Sequence, residues 1–225
     1  MMRTDKPETI AILGGTGDLG TGLALRWARA GHRIVIGSRT LDKAEEATVK
    51  LRELLPDADL RAMDNLAAAA AGSVVVLTVP AAHQLATLDS VRAPLQGKLL
   101  IDVTVPLVPP KVGTVQLPPE GSAGKRAQML LGDGVDVVSA FQNVAAHLLQ
   151  QDVAIGCDVL VCGNKKAARQ RVIDLAADAG MRGWHAGPIE NSAATEALTS
   201  VLIQINRGGE LQHAGIRVIG QSAGH

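Results

Sequence analysis

Apolar and polar positions alternate in blocks along the chain from residue 9 onward. Short aliphatic runs separate longer stretches whose apolar residues recur every three to four positions, the order expected of strand–helix units feeding a parallel sheet. Ile10 to Leu13 reads as the first strand, Leu19 to Ala30 as a helix closed by Gly31, and Ile34 to Ile36 as the second strand. Residues 42 to 55 form the next helix, with Asp42 as N-cap and Pro56 beyond its end. Asp64 starts a helix through the alanine run at 67 to 70. Further strands are predicted at Ser73 to Val79, Leu99 to Val103, Val135 to Ala140 and Val159 to Cys162, nearly all continuous aliphatic runs of the kind buried on both faces. Asn164 is placed to cap a helix that carries Val172, Leu175, Ala176 and Ala179 on one side and stops at Gly180.

Two stretches break this rhythm. Residues 104 to 125 are rich in Pro, Gly and Val and read as one long loop, a functional or mobile feature or an irregular surface excursion. The segment after Gly209 has no strong period. Between them, Asn191 to Arg207 reads as a helix with Ala197, Leu198, Val201, Leu202 and Ile205 on one broad apolar stripe. Such a stripe needs a cover, and a homodimer is the expected one. The expected architecture is α/β: a doubly wound, mostly parallel sheet over residues 1–188, and a short helical C-terminal part, 189–225, that closes a cleft.

Candidate chemistry starts in ILGGTGDLG, where Gly15, Gly17 and Gly20 have the G-x-G-x-x-G spacing between a strand and a helix. This is a Rossmann-type turn: Gly15 for the tight bend, Gly17 for close approach of a pyrophosphate, Gly20 for packing of helix on strand. The amides of Thr16 to Leu19 then face an anion at a helix N-terminus, and Asp18 reads as a first-turn residue. Dinucleotide-binding proteins selective for NAD carry an acidic residue at the end of the second strand. Here the segment is IVIGSRTLDK, with Ser38 and Arg39 at that place and Lys43 one helical turn on. A hydroxyl, a guanidinium and an ammonium suit a 2′-phosphate, so NADP(H) is expected over NAD(H).

Composition narrows the class further. The 22 basic and 22 acidic residues cancel, and one Phe, two Trp and no Tyr leave little to stack on bases, so no nucleic-acid partner is expected. Cys157 and Cys162 are the only cysteines; without a second pair they form neither a zinc site nor a disulfide framework, and both read as small buried hydrophobes. No apolar run approaches the roughly 20 residues of a membrane span, and the polar leader lacks a signal-peptide core. A cytoplasmic protein acting on small molecules is expected.

The chain resembles the F420-dependent NADP reductases, also called NADPH:F420 oxidoreductases. The likeness is carried by LGGTGDLGTGLALRWARAGHRIVIGSRTLDKAEE and by VVSAFQNVAAHLL, VLVCGN, AGPIENSAATEALTSVLIQINR and GIRVIG. It implies hydride transfer between C4 of the nicotinamide and C5 of a 5-deazaflavin that serves as co-substrate. By the same resemblance Thr16, Gly17, Asp18 and Leu19 line the NADP phosphates, while Ser38, Arg39 and Lys43 hold the 2′-phosphate. Val79, His83, Val103 and Ala146 match positions that border the ribose and nicotinamide. The deazaflavin lies under the 141–148 segment and the last helix beside Gln142, and Asn143 and Thr199 are candidate hydrogen-bond donors to its ring, or else a turn residue and a helix-face hydroxyl. Gln142 and Ala193 depart from the family pattern, which has His and Arg at those places. No acid–base dyad is expected, because hydride transfer between stacked rings needs proximity, orientation and exclusion of water.

Two other readings share the same fold logic. One is an NADPH-dependent reductase of imines, ketones or ferric chelates, although imine reductases add a long helical domain for which this chain has too few residues. The other is a non-catalytic NADP sensor, for which the sequence offers no partner module.

Overall fold

The computed structural model describes residues 7–221. Five parallel strands and the helices between them build the first part: β1 (Thr9–Leu13), α1 (Asp18–Arg29), β2 (Arg33–Ser38), α2 (Leu41–Leu54), β3 (Leu60–Asp64), α3 (Asn65–Ala71), β4 (Val74–Leu77), α4 (Gln84–Ser90), α5 (Arg92–Leu95) and β5 (Leu99–Asp102). A single turn of 3₁₀ helix, Ala81–His83, precedes α4. The second part holds α6 (Ala123–Leu131), β6 (Asp136–Ser139), α7 (Ala146–Leu149), β7 (Asp158–Gly163), α8 (Lys166–Asp178), β8 (Arg182–Gly187) and α9 (Ser192–Arg207). The eight strands form one sheet in the order β3-β2-β1-β4-β5-β6-β7-β8. All neighbours are parallel except β6 and β7. The doubly wound, mostly parallel sheet expected from the sequence is therefore present, and its order reverses between β1 and β4, where ligands bind in such sheets.

Period-two alternation along each central strand feeds two cores. Ile10, Ile12, Ile34, Ile36, Val74, Val76 and Ile101 pack under α1, α2 and α8, while Ala11, Leu13, Val35, Val75, Leu77 and Leu100 pack under α3, α4 and α6. Trp27 of α1 is fully buried; its Nε1 donates to the Leu175 carbonyl at 2.8 Å, and its ring meets Phe141 edge-on at 5.8 Å. An aliphatic core with few aromatic residues thus keeps one large anchor beneath the first helix.

The two strands absent from the sequence reading are the two edges. β3 buries only Leu60 fully and β8 buries no residue fully, so neither leaves the continuous apolar run of a central strand. The predicted loop at 104–125 ends sooner than expected, because Ser122 caps α6 by accepting a hydrogen bond from the Lys125 amide at 3.0 Å. Asp64 caps α3 as expected, its Oδ1 accepting from the Ala67 amide at 2.8 Å. Two other caps are corrected. Helix α2 starts after Thr40 rather than Asp42, which lies in its first turn, and Asn164 accepts from the Ile189 amide at 3.1 Å instead of capping α8. Cys162 is buried, but Cys157 is only half-buried. No helix among the described residues is long and apolar enough to cross a membrane.

Candidate functional site

The chain leaves β1 through a turn in which Gly14 rather than Gly15 takes the left-handed backbone, at φ +68°. A side chain at Gly14 would also collide with Val79. Gly15 has another duty. Its amide donates to the Gly37 carbonyl at 3.1 Å, and a Cβ there would stand 2.6 Å from the Ile12 carbonyl oxygen. Gly20 lets α1 lie on this turn, since a Cβ would come within 2.8 Å of the Gly15 Cα. Gly17, by contrast, faces open space: a Cβ there would meet nothing within 4 Å. No side chain caps the start of α1, so its first amides are left for an anion.

That open face belongs to a cavity of about 570 Å³ at the C-terminal edge of β1, β2 and β4. Thr16, Gly17, Ser38, Arg39, Lys43, Val79 and His83 all line it, which joins the phosphate turn, the cationic pair and the wall after β4 in one space. Ser38 ends β2 and is buried, its Oγ accepting from the Thr40 amide at 3.4 Å. Arg39 is exposed, and neither it nor Lys43 forms an ion pair with a described carboxylate. His83 closes the 3₁₀ turn on the far wall, so it is both a helix-start residue and a cavity residue. The sequence reading missed Gly14, Asn65 and Thr78 on the same walls. Asn65 braces the turn by accepting from the Gly14 amide at 3.4 Å, a role that only the fold reveals because 51 residues separate them.

Several expected residues stand elsewhere. Gly15 and Gly20 shape the turn from beneath, and the Leu19 side chain packs toward the core. Asp18 lines not this cavity but a neighbouring one, together with Thr16, Thr21, Lys43 and Lys50. Val103 is buried at the end of β5, and Ala146 lines a different cavity.

That second cavity, about 260 Å³, lies between the 142–147 segment and α9 and is lined by Gln142, Asn143, Ala146 and Thr199. The chain enters it through Phe141 at φ +69°, an unfavourable conformation for an aromatic residue. Internal bonds hold this turn. Asn143 Nδ2 donates to the Thr195 carbonyl at 3.0 Å and to Thr199 Oγ1 at 3.1 Å, and Thr199 Oγ1 donates to the Gln142 carbonyl at 3.1 Å. Asn143 and Thr199 therefore spend their donors on each other and on the backbone instead of presenting them to a ligand ring. His147 and His213 stack at 5.0 Å over the rim.

Behind both cavities lie two carboxyl groups absent from the sequence reading. Asp102 ends β5 fully buried, and burial raises its pKa. Glu196 of α9 is 1 % exposed, and burial, opposed by the Gly124 and Ala123 amides, pushes it up to about 7. A signal for Glu196 exists in the sequence: Ser192, Thr195, Glu196, Thr199 and Ser200 form a polar stripe at helical spacing opposite the apolar one. In the fold this polar stripe faces the protein, while Val201 and Ile205 are 45 % and 43 % exposed.

Comparison with known proteins agrees with this geometry. The model of the family described as NADP oxidoreductase, coenzyme F420-dependent, matches residues 9–106. The F420-dependent NADP reductase of Methanocaldococcus jannaschii is 42 % identical over 218 residues, covering 93 % of this chain and 97 % of its own. That of Methanothermobacter thermautotrophicus is 40 % identical over 218 residues, covering 93 % and 94 %. Among solved structures, a protein of Arthrobacter sp. FB24 ascribed to the same activity superposes with a TM-score of 0.79 at 25 % identity, covering 94 % of this chain and 99 % of its own. Similarity at this level over nearly the full length of both chains places the chain in the family of F420-dependent NADP reductases.

Proposed function

We propose that the larger cavity holds NADP(H), with its pyrophosphate on the turn built by Gly15, Thr16, Gly17, Asp18, Leu19 and Gly20. Its 2′-phosphate lies on Ser38, Arg39 and Lys43, and its ribose and nicotinamide run past Val79 and His83 toward Val103 and Ala146. The deazaflavin of F420 lies against the wall made by Gln142, Asn143 and Thr199. The observation that carries this assignment is the convergence of open amides, an unpaired Arg–Lys couple and the Val79–His83 wall in one cavity.

The chain is an oxidoreductase that moves hydride between NADP(H) and coenzyme F420. When both are bound they supply the chemistry themselves: a hydride passes between nicotinamide C4 and deazaflavin C5, and solvent balances the remaining proton. The protein contributes binding, orientation and shielding from water. Amides at the head of α1 and the cations after β2 fix one end of the dinucleotide, and the strained turn at Phe141 fixes the opposite wall.

Residues 7–188 form the dinucleotide-binding part of this reading and the C-terminal segment closes the cleft. Its helix α9 supports a homodimer, because the polar stripe is buried and the apolar one with Val201 and Ile205 is open. Sedimentation equilibrium at micromolar concentration checks this: a dimer is expected, and a monomer would refute it.

The assay that tests the reaction mixes purified protein, NADPH and oxidised F420 and follows loss of the deazaflavin absorbance, with NADH in parallel. Rapid bleaching with NADPH and little with NADH is expected. Binding of NADPH without bleaching would redirect the search to imines, ketones and ferric chelates, and inertness toward every acceptor would favour the sensor.

A further inference from the structure

The two walls of the cleft are joined behind the site by a closed ring of hydrogen bonds. Glu196 of α9 accepts from the first amides of α6, Ala123 to Oε2 at 2.7 Å and Gly124 to Oε1 at 2.9 Å. The Ala123 carbonyl in turn accepts from Gln84 Nε2 at 2.9 Å, and the same nitrogen donates to Asp102 Oδ2. The Asp102 carbonyl accepts from Gln142 Nε2 at 3.0 Å, Gln142 Nε2 also donates to Ser139 Oγ at 2.7 Å, and Ser139 Oγ donates to Glu196 Oε1 at 3.3 Å, which closes the ring. Arg126, two residues beyond Gly124 on α6, clamps Gln84 Oε1 through Nε at 2.9 Å and Nη2 at 2.6 Å.

Three stations adjoin the proposed ligand walls. Gln84 follows His83 on the wall assigned to the nicotinamide, whereas Gln142 precedes Asn143 on the wall assigned to the deazaflavin. Glu196 shares its helix with Thr195 and Thr199, the two partners that hold Asn143. A carboxylate on two helix-terminal amides is a strong attachment, since charge assistance and the helix dipole act together. Removing it frees α9 and one side of the ring, while the phosphate turn and the 2′-phosphate cations lie outside the ring.

We propose that Glu196 is a positioning residue for the deazaflavin: through Ser139 and Gln142 it sets the wall on which F420 lies, without touching either ligand. This inference rests on the assignment of F420 to that wall. A polar ring of this kind acts as a unit, so breaking it at any station has a similar effect and two breaks do not add.

The test uses the full chain with Glu196→Gln and Ser139→Ala, singly and together. Glu196→Gln keeps one acceptor for the α6 amides, and Ser139→Ala breaks the ring without touching that cap, so one variant remains informative if the other folds poorly. Each single variant should raise KM for F420 by about tenfold, the scale of one lost hydrogen bond to a charged group. KM for NADPH should stay within about twofold, and the double variant should match the singles. A pH profile adds a signature that mere support of the fold would not give. Protonation of Glu196 as pH falls through about 7 takes one acceptor from the ring, so KM for F420 in the wild-type protein should rise toward low pH. Glu196→Gln should flatten that rise. The titratable groups facing Glu196 are Asp102 on β5, itself faced by Arg126 of α6, and Cys162 on β7, whose thiol burial pushes up to about 11 so that it stays protonated throughout. No turnover of F420 by the wild-type protein would overturn the functional reading and this inference with it. Wild-type turnover combined with an unchanged KM for F420 in both variants, or with equal rises for both substrates, would overturn the inference alone.

Discussion

Replacing Arg39 with Ala isolates the recognition of the second phosphate. The side chain is exposed and forms no ion pair with a described carboxylate, so its loss strands no buried partner. Stability should change by no more than about 0.5 kcal/mol. Binding is another matter. Hydrogen bonds to charged groups contribute roughly 1.5 to 3 kcal/mol each. Solvent exposure at Arg39 favours the low end of that range, and about 1.5 kcal/mol corresponds to about a tenfold loss of affinity. Lys43 and the Ser38 hydroxyl remain to hold part of the phosphate, which keeps the loss short of complete. The measurement is steady-state kinetics at saturating F420 with NADPH and NADH in parallel. KM for NADPH should rise about tenfold or more while that for NADH, which lacks the phosphate, stays within about twofold. Equal rises for both nucleotides would refute the assignment, because Arg39 would then be sensing something the two share.

Three other substitutions test how the site is supported. Gly20→Ala places a Cβ within 2.8 Å of the Gly15 Cα, backbone against backbone; α1 must tilt off the turn, at a cost of about 1 to 3 kcal/mol, and NADPH affinity in a fluorescence titration should fall with it. Trp27→Ala empties the largest fully buried position and releases the Leu175 carbonyl, so about 3 to 5 kcal/mol should be lost, visible as a drop of about 10 °C in Tm by calorimetry. Arg26→Met removes donors to the Leu148, Leu149, Gln151 and Val153 carbonyls; KM for F420 should rise more than KM for NADPH, and a rise confined to NADPH would count against the coupling of α1 to the deazaflavin wall.

What the sequence disclosed, and what it hid, follows from burial. Strands such as Val74–Leu77 and Leu99–Asp102 are covered on both faces, so nearly every position is aliphatic and the run is visible without context. The edge strands at Leu60–Asp64 and Arg182–Gly187 face solvent along one side and carry no such mark. The phosphate turn was legible because the glycine spacing is local, yet the residue with the left-handed backbone is Gly14, which the three-glycine pattern does not include. Ser38, Arg39 and Lys43 stood out by their position after the second strand, and the fold brings all three onto the cavity beside that turn. Asn65, Asp102 and Glu196 were not, because their partners are 51, 18 and 72 residues away for Gly14, Gln84 and Gly124. The roles of Asn143 and Thr199 changed for a related reason: a sequence shows that a donor exists, not that a neighbour has already taken it.

One helix ties the two halves of the site together. Its N-terminus, at Gly17 and Asp18, carries the open amides of the proposed dinucleotide site, and its body holds the segment that forms the opposite wall. Gly22 permits this, since a Cβ there would stand 2.6 Å from Leu149 Cβ. The Arg26 guanidinium gathers four carbonyls from residues 148 to 153, and burial lowers its pKa. Trp27 meets Phe141 at the strained turn, and Gln150 returns a bond to the Asp18 carbonyl at 3.0 Å. The distance between the glycine-rich turn and the 141–148 wall is therefore set by a rigid element and not by a hinge. Hydride transfer between two stacked rings depends on their separation and alignment, and misplacement by about 1 Å can cost on the order of a hundredfold in rate. On the proposed placement of the two ligands, the packing of α1 on residues 141–153 and the ring through Glu196 are where the protein exerts its control over that chemistry.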